Sequence, residues 1–177
     1  MTTLIALLRG INIGGNNKLP MKELSALLTD MGLREVQTYI QSGNVVFRCD
    51  AKNRATLAAK ISAAIEVQHG FAPQVLLLDA AELRKAMADN PYPEAEADPK
   101  SLSLLFLAEA PQRPDLKSLE AIKTGSERFK LMGKVFYLHA PEGFGRSKLA
   151  AQAEKLLGVA ASGRNWNTVC KLAEMAT

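Results

Sequence analysis

Cysteine and histidine are scarce in this 177-residue sequence. The two cysteines, Cys49 and Cys170, form no Cys-x-x-Cys pair, so a disulfide framework or a zinc site is disfavoured. The two histidines, His69 and His139, lie far apart and have no carboxylate at ligand spacing. We therefore expect no bound metal, and the sequence identifies no cofactor.

Long apolar runs are also missing. No stretch approaches the ~18 consecutive apolar residues of a membrane-spanning helix. The apolar run Leu4–Leu8 is too short for the core of a signal peptide. The sequence accordingly predicts a cytoplasmic protein that does not associate with a membrane.

Neither sign of charge dominates, and aromatic residues make up only 6% of the chain. The net charge of +4 permits a partner that carries phosphates but is far from that of a typical nucleic-acid-binding protein. The turn Ser42-Gly43-Asn44 and the strand after it also lack the alternating aromatics with which RNA-recognition domains stack bases. Nucleic acid is thus a disfavoured partner.

The first half of the sequence predicts the order strand, helix, strand, strand, helix, strand. Leu4–Leu8 and Val75–Leu78 are apolar strands, and Ser42–Asn44 is the turn of a hairpin. Apolar residues recur at helical spacing after Pro20, and a second helix ends near Gly70. This order is that of a ferredoxin-like unit. Asp79 and Glu82 then have the spacing of a capping box for a short additional helix.

The pattern restarts after the segment Asp89–Lys100, which contains three prolines and four acidic residues. The strand Leu102–Leu107, a hairpin around Gly133 and a helix ending at Gly158 repeat the earlier order, and "SGNVVF" has its counterpart in "MGKVFY". The sequence therefore predicts an α+β protein of two ferredoxin-like (βαββαβ-type) repeats. Their predicted limits are residues 1–88 and 101–177, where the second includes a final helix, with residues 89–100 as an exposed, irregular linker.

Three predicted strands are apolar without alternation: Leu4–Leu8, Val75–Leu78 and Leu102–Leu107. A sheet with one face in water alternates apolar and polar residues. We therefore expect the sheets to be covered on both faces, either by the sheet of the other half or by a second copy of the chain in a homodimer.

The loop between the first strand and the first helix, in "LLRGINIGGNNKLPM" (Leu7–Met21), is the main candidate for a functional segment. Gly10 and Gly15 have the spacing of a P-loop, but the Lys-Ser/Thr pair that should follow is absent. Glycines that expose amides, a helix start, and the flanking Arg9 and Lys18 suit an anion. The alternative is a plain connector whose asparagines adopt left-handed turns.

Topology favours a composite site, because in a ferredoxin-like unit this loop and the hairpin turn share one end of the sheet. A third polar segment, "GRNWNTV", lies at the start of the final helix. The candidate ligand-binding residues are Arg9, Asn12, Gly14, Gly15, Asn16, Lys18, Gln41, Ser42, Asn44, Arg164, Asn165 and Asn167.

No carboxylate pair or Ser-His-Asp set lies in these loops, so the sequence assigns no catalytic residue and does not decide whether the protein is an enzyme. The leading interpretation is the binding of a small anionic, phosphorylated or nucleotide-like ligand at the Arg9–Lys18 loop and the Ser42–Asn44 turn. The alternatives are a metal-independent phosphate-handling enzyme, and a self-associating interaction protein with no ligand.

Four ordered motifs carry a resemblance to a known family: "LLRGINIGGNNKLPMKEL", "TYIQSGNVVF", "GFGRSKL" and "RNWNTVCKL". Together they resemble the bacterial domain-of-unknown-function 1697 family along essentially the whole chain. The resemblance implies a bacterial cytosolic protein with an α+β fold built on ferredoxin-like repeats. It implies no activity.

Overall fold

The computed structural model describes all 177 residues and divides them into two compact units. The first unit comprises residues 1–85 together with 171–177, and the second comprises residues 86–170. The elements of the first unit are β1 (Thr2–Arg9), α1 (Met21–Asp30), β2 (Arg34–Tyr39), β3 (Asn44–Cys49), α2 (Arg54–His69) and β4 (Gln74–Asp79), and the helix α3 (Ala80–Ala88) follows directly.

The four strands of the first unit form one antiparallel sheet in the order β2-β3-β1-β4. The central strand β1 is therefore paired on both sides. The helix α2 is capped at its start by Asn53, whose side chain accepts a hydrogen bond from the Thr56 amide, and at its end by Gly70, which has a left-handed φ of 81°. Both residues are well suited to these ends, since asparagine caps a helix start and glycine closes a helix at no steric cost.

The core of the first unit lies between the sheet and its helices. Leu4, Ala6 and Leu8 of β1 pack in one cluster with apolar residues of α1 and α2. The residues of β1 that point the other way, Ile5 and Leu7, have no exposed surface either. The strand is thus buried on both faces, which is why it lacks alternation.

The second unit contains the strands β5 (Leu102–Leu107), β6 (Arg128–Met132), β7 (Val135–His139) and β8 (Ala161–Asn165). They form one antiparallel sheet in the order β6-β7-β5-β8, which matches the order in the first unit. Leu119, Phe136, Leu138, Leu149 and Leu157 are central members of the core of the second unit. The helices of the second unit are α4 (Leu116–Ile122), α5 (Lys148–Leu157) and α6 (Trp166–Met175), and α6 runs on into residues grouped with the first unit.

The capping box is confirmed at the start of α3. The Asp79 amide donates to Glu82 Oε2 at 2.8 Å, and the Glu82 amide donates to Asp79 Oδ1 at 2.7 Å. Arg54 reinforces this corner, because its guanidinium reaches Asp79 Oδ2 and Glu82 Oε2, each at 2.6 Å. The box thus fixes the point at which the chain leaves β4 and turns into a helix.

The prediction that Asp89–Lys100 is irregular is wrong. The chain there forms two short 3-10 helices, Pro93–Ala97 and Pro99–Ser101, each of which begins with a proline. Tyr92 and Ala95 are buried, so the segment is not uniformly exposed. Proline suits the first position of a helix because the amide it lacks would have no partner there. Three of its four acidic residues, Glu94, Glu96 and Asp98, are exposed, which explains why the composition of the segment resembles that of a linker.

No helix of the chain combines the length and the apolar character needed to cross a membrane.

Candidate functional site

The loop after β1 is a miniature hairpin. The Asn16 amide donates to the Ile13 carbonyl at 2.9 Å, and the Asn12 amide donates to the Asn17 carbonyl at 3.0 Å. Between them Gly14 and Gly15 have φ values of 55° and 80°. Two consecutive positive φ angles are those of a type I′ turn, which glycine adopts without strain. The glycines therefore form a regular type I′ turn, and this part of the loop is not an irregular connection.

The Asn12 side chain fastens this loop to its surroundings. Its Nδ2 donates to the Leu19 carbonyl at 2.9 Å and to the Gln41 carbonyl at 2.8 Å, while its Oδ1 accepts from the Leu19 amide at 2.7 Å. The bond to Gln41 joins the loop to the hairpin between β2 and β3, so the two polar loops do meet at one end of the sheet. Asn12 is fully engaged within the chain and thus acts as a brace.

Asn17 has a comparable role that the sequence analysis missed. Its Nδ2 donates to the Gly10 carbonyl at 3.0 Å, and its own φ of 52° is left-handed. Asparagine tolerates this conformation better than other residues with a Cβ atom. The available signal was the repeated asparagine in a glycine-rich loop, but its side chain was not expected to bond to the backbone seven residues earlier.

The hairpin turn approaches β1 so closely that it requires glycine. Gly43 has a φ of 90°, and a Cβ atom there would lie 2.8 Å from both Leu8 Cβ and Ile11 Cδ1. The Leu8 amide donates to the Gly43 carbonyl at 2.8 Å. Asn44 is fully buried, and its Nδ2 donates to the Tyr39 carbonyl and to Ser42 Oγ, each at 3.0 Å. The buried Asn44 side chain therefore stabilises the turn between β2 and β3 by bonding to Tyr39 and Ser42.

The remaining candidates of the first unit are on the surface: Arg9, Gly14, Gly15, Asn16, Lys18, Gln41 and Ser42. The loop from Arg9 to Pro20 contains two basic residues and no acidic one. The Gly14 and Gly15 amides make no hydrogen bond within the chain, since they stand at the tip of the turn. The exposed part of the loop consequently contains backbone donors, and its two flanking residues Arg9 and Lys18 are cationic.

The third candidate segment belongs to the second unit. Asn165 caps α6, because its Oδ1 accepts from the Thr168 amide at 3.0 Å. Arg164 is partly buried, and burial lowers the pKa of its guanidinium to about 10. Its Nη1 donates to the Gly163 carbonyl at 2.8 Å, and Asn167 is exposed. The candidates of the first unit thus lie together at one end of its sheet. The other three, Arg164, Asn165 and Asn167, lie around the start of α6 in the second unit.

The glycine-rich segment "GFGRSKL" contains the N-cap of α5. Ser147 is buried, and its Oγ accepts from the Ala150 amide at 3.0 Å at the start of α5. Arg146 and Lys148 beside it are exposed. No group of three or more His, Cys, Asp or Glu side chains in the chain is placed to hold a metal ion.

Comparison with known proteins places the chain among proteins that share its architecture. It is similar to a solved structure described as "conserved bacterial protein SP0830 from Streptococcus pneumoniae", with 25% sequence identity, a TM-score of 0.72 and coverage of 99% of both chains. No curated protein matches the sequence. The sequence profile of the family described as "Protein of unknown function (DUF1697)" matches residues 1–137. Because this match spans most of the chain, the protein belongs to the DUF1697 family.

Proposed function

We propose that the protein binds a small anionic ligand, such as a phosphorylated metabolite or a nucleotide, at the tip of the loop after β1. Gly14 and Gly15 supply amide donors, Arg9 and Lys18 supply positive charge, and Ser42 lies on the adjoining hairpin. The observation that carries the proposal is the bond from Asn12 Nδ2 to the Gln41 carbonyl at 2.8 Å. It joins two polar loops that are 29 residues apart in sequence.

The bracing of the loop supports a binding role because binding costs less when the donors are already held in place. A connector needs only to turn the chain, and connections of ~2–8 residues between neighbouring elements suffice for that. This loop instead has a closed turn, two asparagine side chains bonded to backbone carbonyls, and exposed amides at its tip. Backbone donors held beside cations form the kind of concentrated positive potential that anions occupy.

The candidate residues divide into two groups on this proposal. Asn12 and Asn44 are positioning residues, since their side chains are bonded within the chain. The groups that contact the ligand are the exposed ones at the tip of the loop and its flanks. Lys18 is the clearest of these, because it is exposed and takes part in no ion pair.

The experiment is a calorimetric titration of the protein with inorganic phosphate, adenosine monophosphate and glucose 6-phosphate. A charge-assisted hydrogen bond is worth ~1.5–3 kcal/mol, so Lys18→Ala should weaken binding roughly tenfold or more. Lys52→Ala, which removes an exposed lysine beyond β3, is the matched control and should bind like the wild type. If both variants lose the same affinity, the effect reflects the net charge of the protein and not a contact made by Lys18. If none of the three probes produces a heat of binding, the proposal is contradicted.

We also infer that each unit is a ferredoxin-like repeat. The strand order β2-β3-β1-β4, its counterpart in the second unit, and the alternation of strands and helices support this inference. The burial of Ile5 and Leu7 as well as Leu4 and Leu8 supports the further proposal that the sheets are covered on both faces. We retain residues 1–88 and 101–177 as the proposed limits of the repeats, and the bacterial cytosol as the proposed location.

A further inference from the structure

The segment that opens the second unit is held to its sheet by a compact group of charged and aromatic side chains. We call the residues from Tyr92 to Asp98 the strap. Tyr92 is buried, and the 3-10 helix Pro93–Ala97 follows it. Within the strap the Ala95 amide donates to the Tyr92 carbonyl, and the Asp98 amide donates to the Ala95 carbonyl, each at 3.0 Å. These amides report whether the strap is folded.

Arg128 on the edge strand β6 makes the contacts that fasten the strap. Its guanidinium carbon lies 4.3 Å from the centre of the Tyr92 ring, a cation–π distance. Its Nη2 forms an ion pair with Glu94. The same guanidinium also contacts His139 on β7, whose Nδ1 lies 2.9 Å from Nη2 and 3.3 Å from Nε. Arg128 thus connects the strap to the sheet, and His139 positions Arg128.

This geometry requires a neutral imidazole. Arginine has donors only, so Nδ1 of His139 must be the acceptor and the ring proton must sit on Nε2. The charged groups that face the ring are Arg128 from β6, and Glu94 and Asp98 from the strap. The Tyr92 ring lies beside it, with its centre 6.1 Å away. Protonation would convert the acceptor into a donor and put a second positive charge against the guanidinium.

The surroundings of His139 oppose that protonation. Burial, and then the charge of Arg128, lower the pKa of the imidazole below its ordinary value, against the smaller opposite effect of Glu94 and Asp98. If the strap opens, the ring returns to water, the acids of the strap move away, and Arg128 on β6 remains beside the ring. Because burial is the largest of these effects on the pKa of His139, its loss raises that pKa. Proton uptake therefore favours the open strap over the closed one.

We propose that Arg128 and His139 form an acid-sensitive latch: at neutral pH they hold the strap on the second sheet, and protonation of His139 releases it. Release uncovers the buried side chains of Tyr92 and Ala95, and so presents an apolar surface that is hidden at neutral pH. The latch does not depend on the proposed anion site, since all of its residues belong to the second unit.

The test is hydrogen exchange of the full-length protein from pH 7.5 to 5.5, corrected for intrinsic rates. The opening constant reported by the Ala95 and Asp98 amides should rise as the pH falls from 7.5 to 5.5, by at most about tenfold per pH unit. His139→Gln keeps a neutral side chain and should abolish this pH dependence. His69→Gln, which removes the other histidine of the chain, should preserve it. The Leu138 amide in β7 serves as the control for global unfolding. If only the strap opens, the opening constant of the Leu138 amide should not rise together with those of Ala95 and Asp98.

A flat profile in the wild type would overturn the proposal, and so would the same profile in His139→Gln. Slower exchange at acid pH would overturn it as well, because it would mean that the protonated ring is drawn to Glu94 and Asp98 and tightens the strap. Should His139→Gln fail to fold, the ring nitrogen shifts of the wild type supply a second test. They must show the proton on Nε2 at neutral pH, and a tautomer with the proton on Nδ1 would contradict the latch.

Discussion

Removing the Asn12 side chain should destabilise the protein far more than its position in an exposed loop suggests. The side chain makes three hydrogen bonds, two with the Leu19 backbone and one with the Gln41 carbonyl. Each is worth about 1 kcal/mol net, so the three together are worth about 3 kcal/mol. The backbone φ of 54° adds a second cost for any ordinary replacement, about 1–2 kcal/mol.

Two substitutions separate these contributions. Asn12→Gly loses the hydrogen bonds but tolerates the backbone, so we expect a loss of about 2–3 kcal/mol. Asn12→Ala also places a Cβ atom in the left-handed region, and should lose about 1–2 kcal/mol more. Asn12→Asp keeps an acceptor for the Leu19 amide but aims a carboxylate at two carbonyl oxygens, and should therefore do no better than glycine.

The assay is urea unfolding followed by far-ultraviolet circular dichroism, with free energies extrapolated to water. Asn16→Ala is the matched control, because its side chain lies in the same loop, is exposed and forms no hydrogen bond. It should change the free energy of unfolding by less than about 0.5 kcal/mol. If Asn12→Gly is equally mild, the brace contributes nothing and the reasoning about the loop fails.

Other substitutions test the close contacts of each unit. Gly43→Ala should cost about 2–4 kcal/mol in urea unfolding, since its new Cβ atom meets Leu8 at 2.8 Å with a left-handed φ, whereas Gly125→Ala, with open space around it, should be nearly neutral. A similar loss in both variants would contradict the tight approach. Tyr137→Phe should cost about 1–2 kcal/mol, because it leaves the Ala86 carbonyl without the 2.6 Å hydrogen bond that it accepts from the buried hydroxyl. Burial raises the pKa of this phenol to about 12. Its contribution to stability is therefore complete below pH 10 and lost as the pH rises through about 12, and an absorbance titration that ionises every tyrosine near pH 10 would contradict it.

Local patterns in the sequence predicted the order of the elements well. Apolar spacing located the strands and helices, and the ends at Gly70, Gly158 and Ser147 follow from local backbone and capping chemistry. These features depend on residues within about four positions of one another. The edge strand β2 was predicted less accurately, because the sequence pattern indicates a strand over Val36–Gln41. The strand begins instead at Arg34 and ends before Ile40, whose φ of 48° is exceptional for a β-branched residue.

Features that depend on contacts between distant residues could not be predicted. The bond from Asn12 to Gln41 spans 29 positions, so the sequence showed a polar loop but not a brace. The segment Asp89–Lys100 appeared to be a linker because its prolines and acids are typical of one. Its order comes partly from local hydrogen bonds of the Asn90 side chain to Tyr92 and Glu96. It also comes from the contact of Tyr92 with Arg128 and the ion pair of Arg128 with Glu94, which no local pattern encodes.

The central claim is that the turn at Gly14 and Gly15 presents its amides to an anion. Its most direct test is a titration of the protein, labelled with nitrogen-15 at glycine only, with inorganic phosphate at constant ionic strength. The twelve glycines of the chain give a sparse spectrum in which each amide is observed separately. We predict saturable shifts of the Gly14 and Gly15 signals, with the helix-ending Gly158 unmoved. Uniform drift of all signals, or saturable shifts confined to glycines outside this loop, would contradict the account.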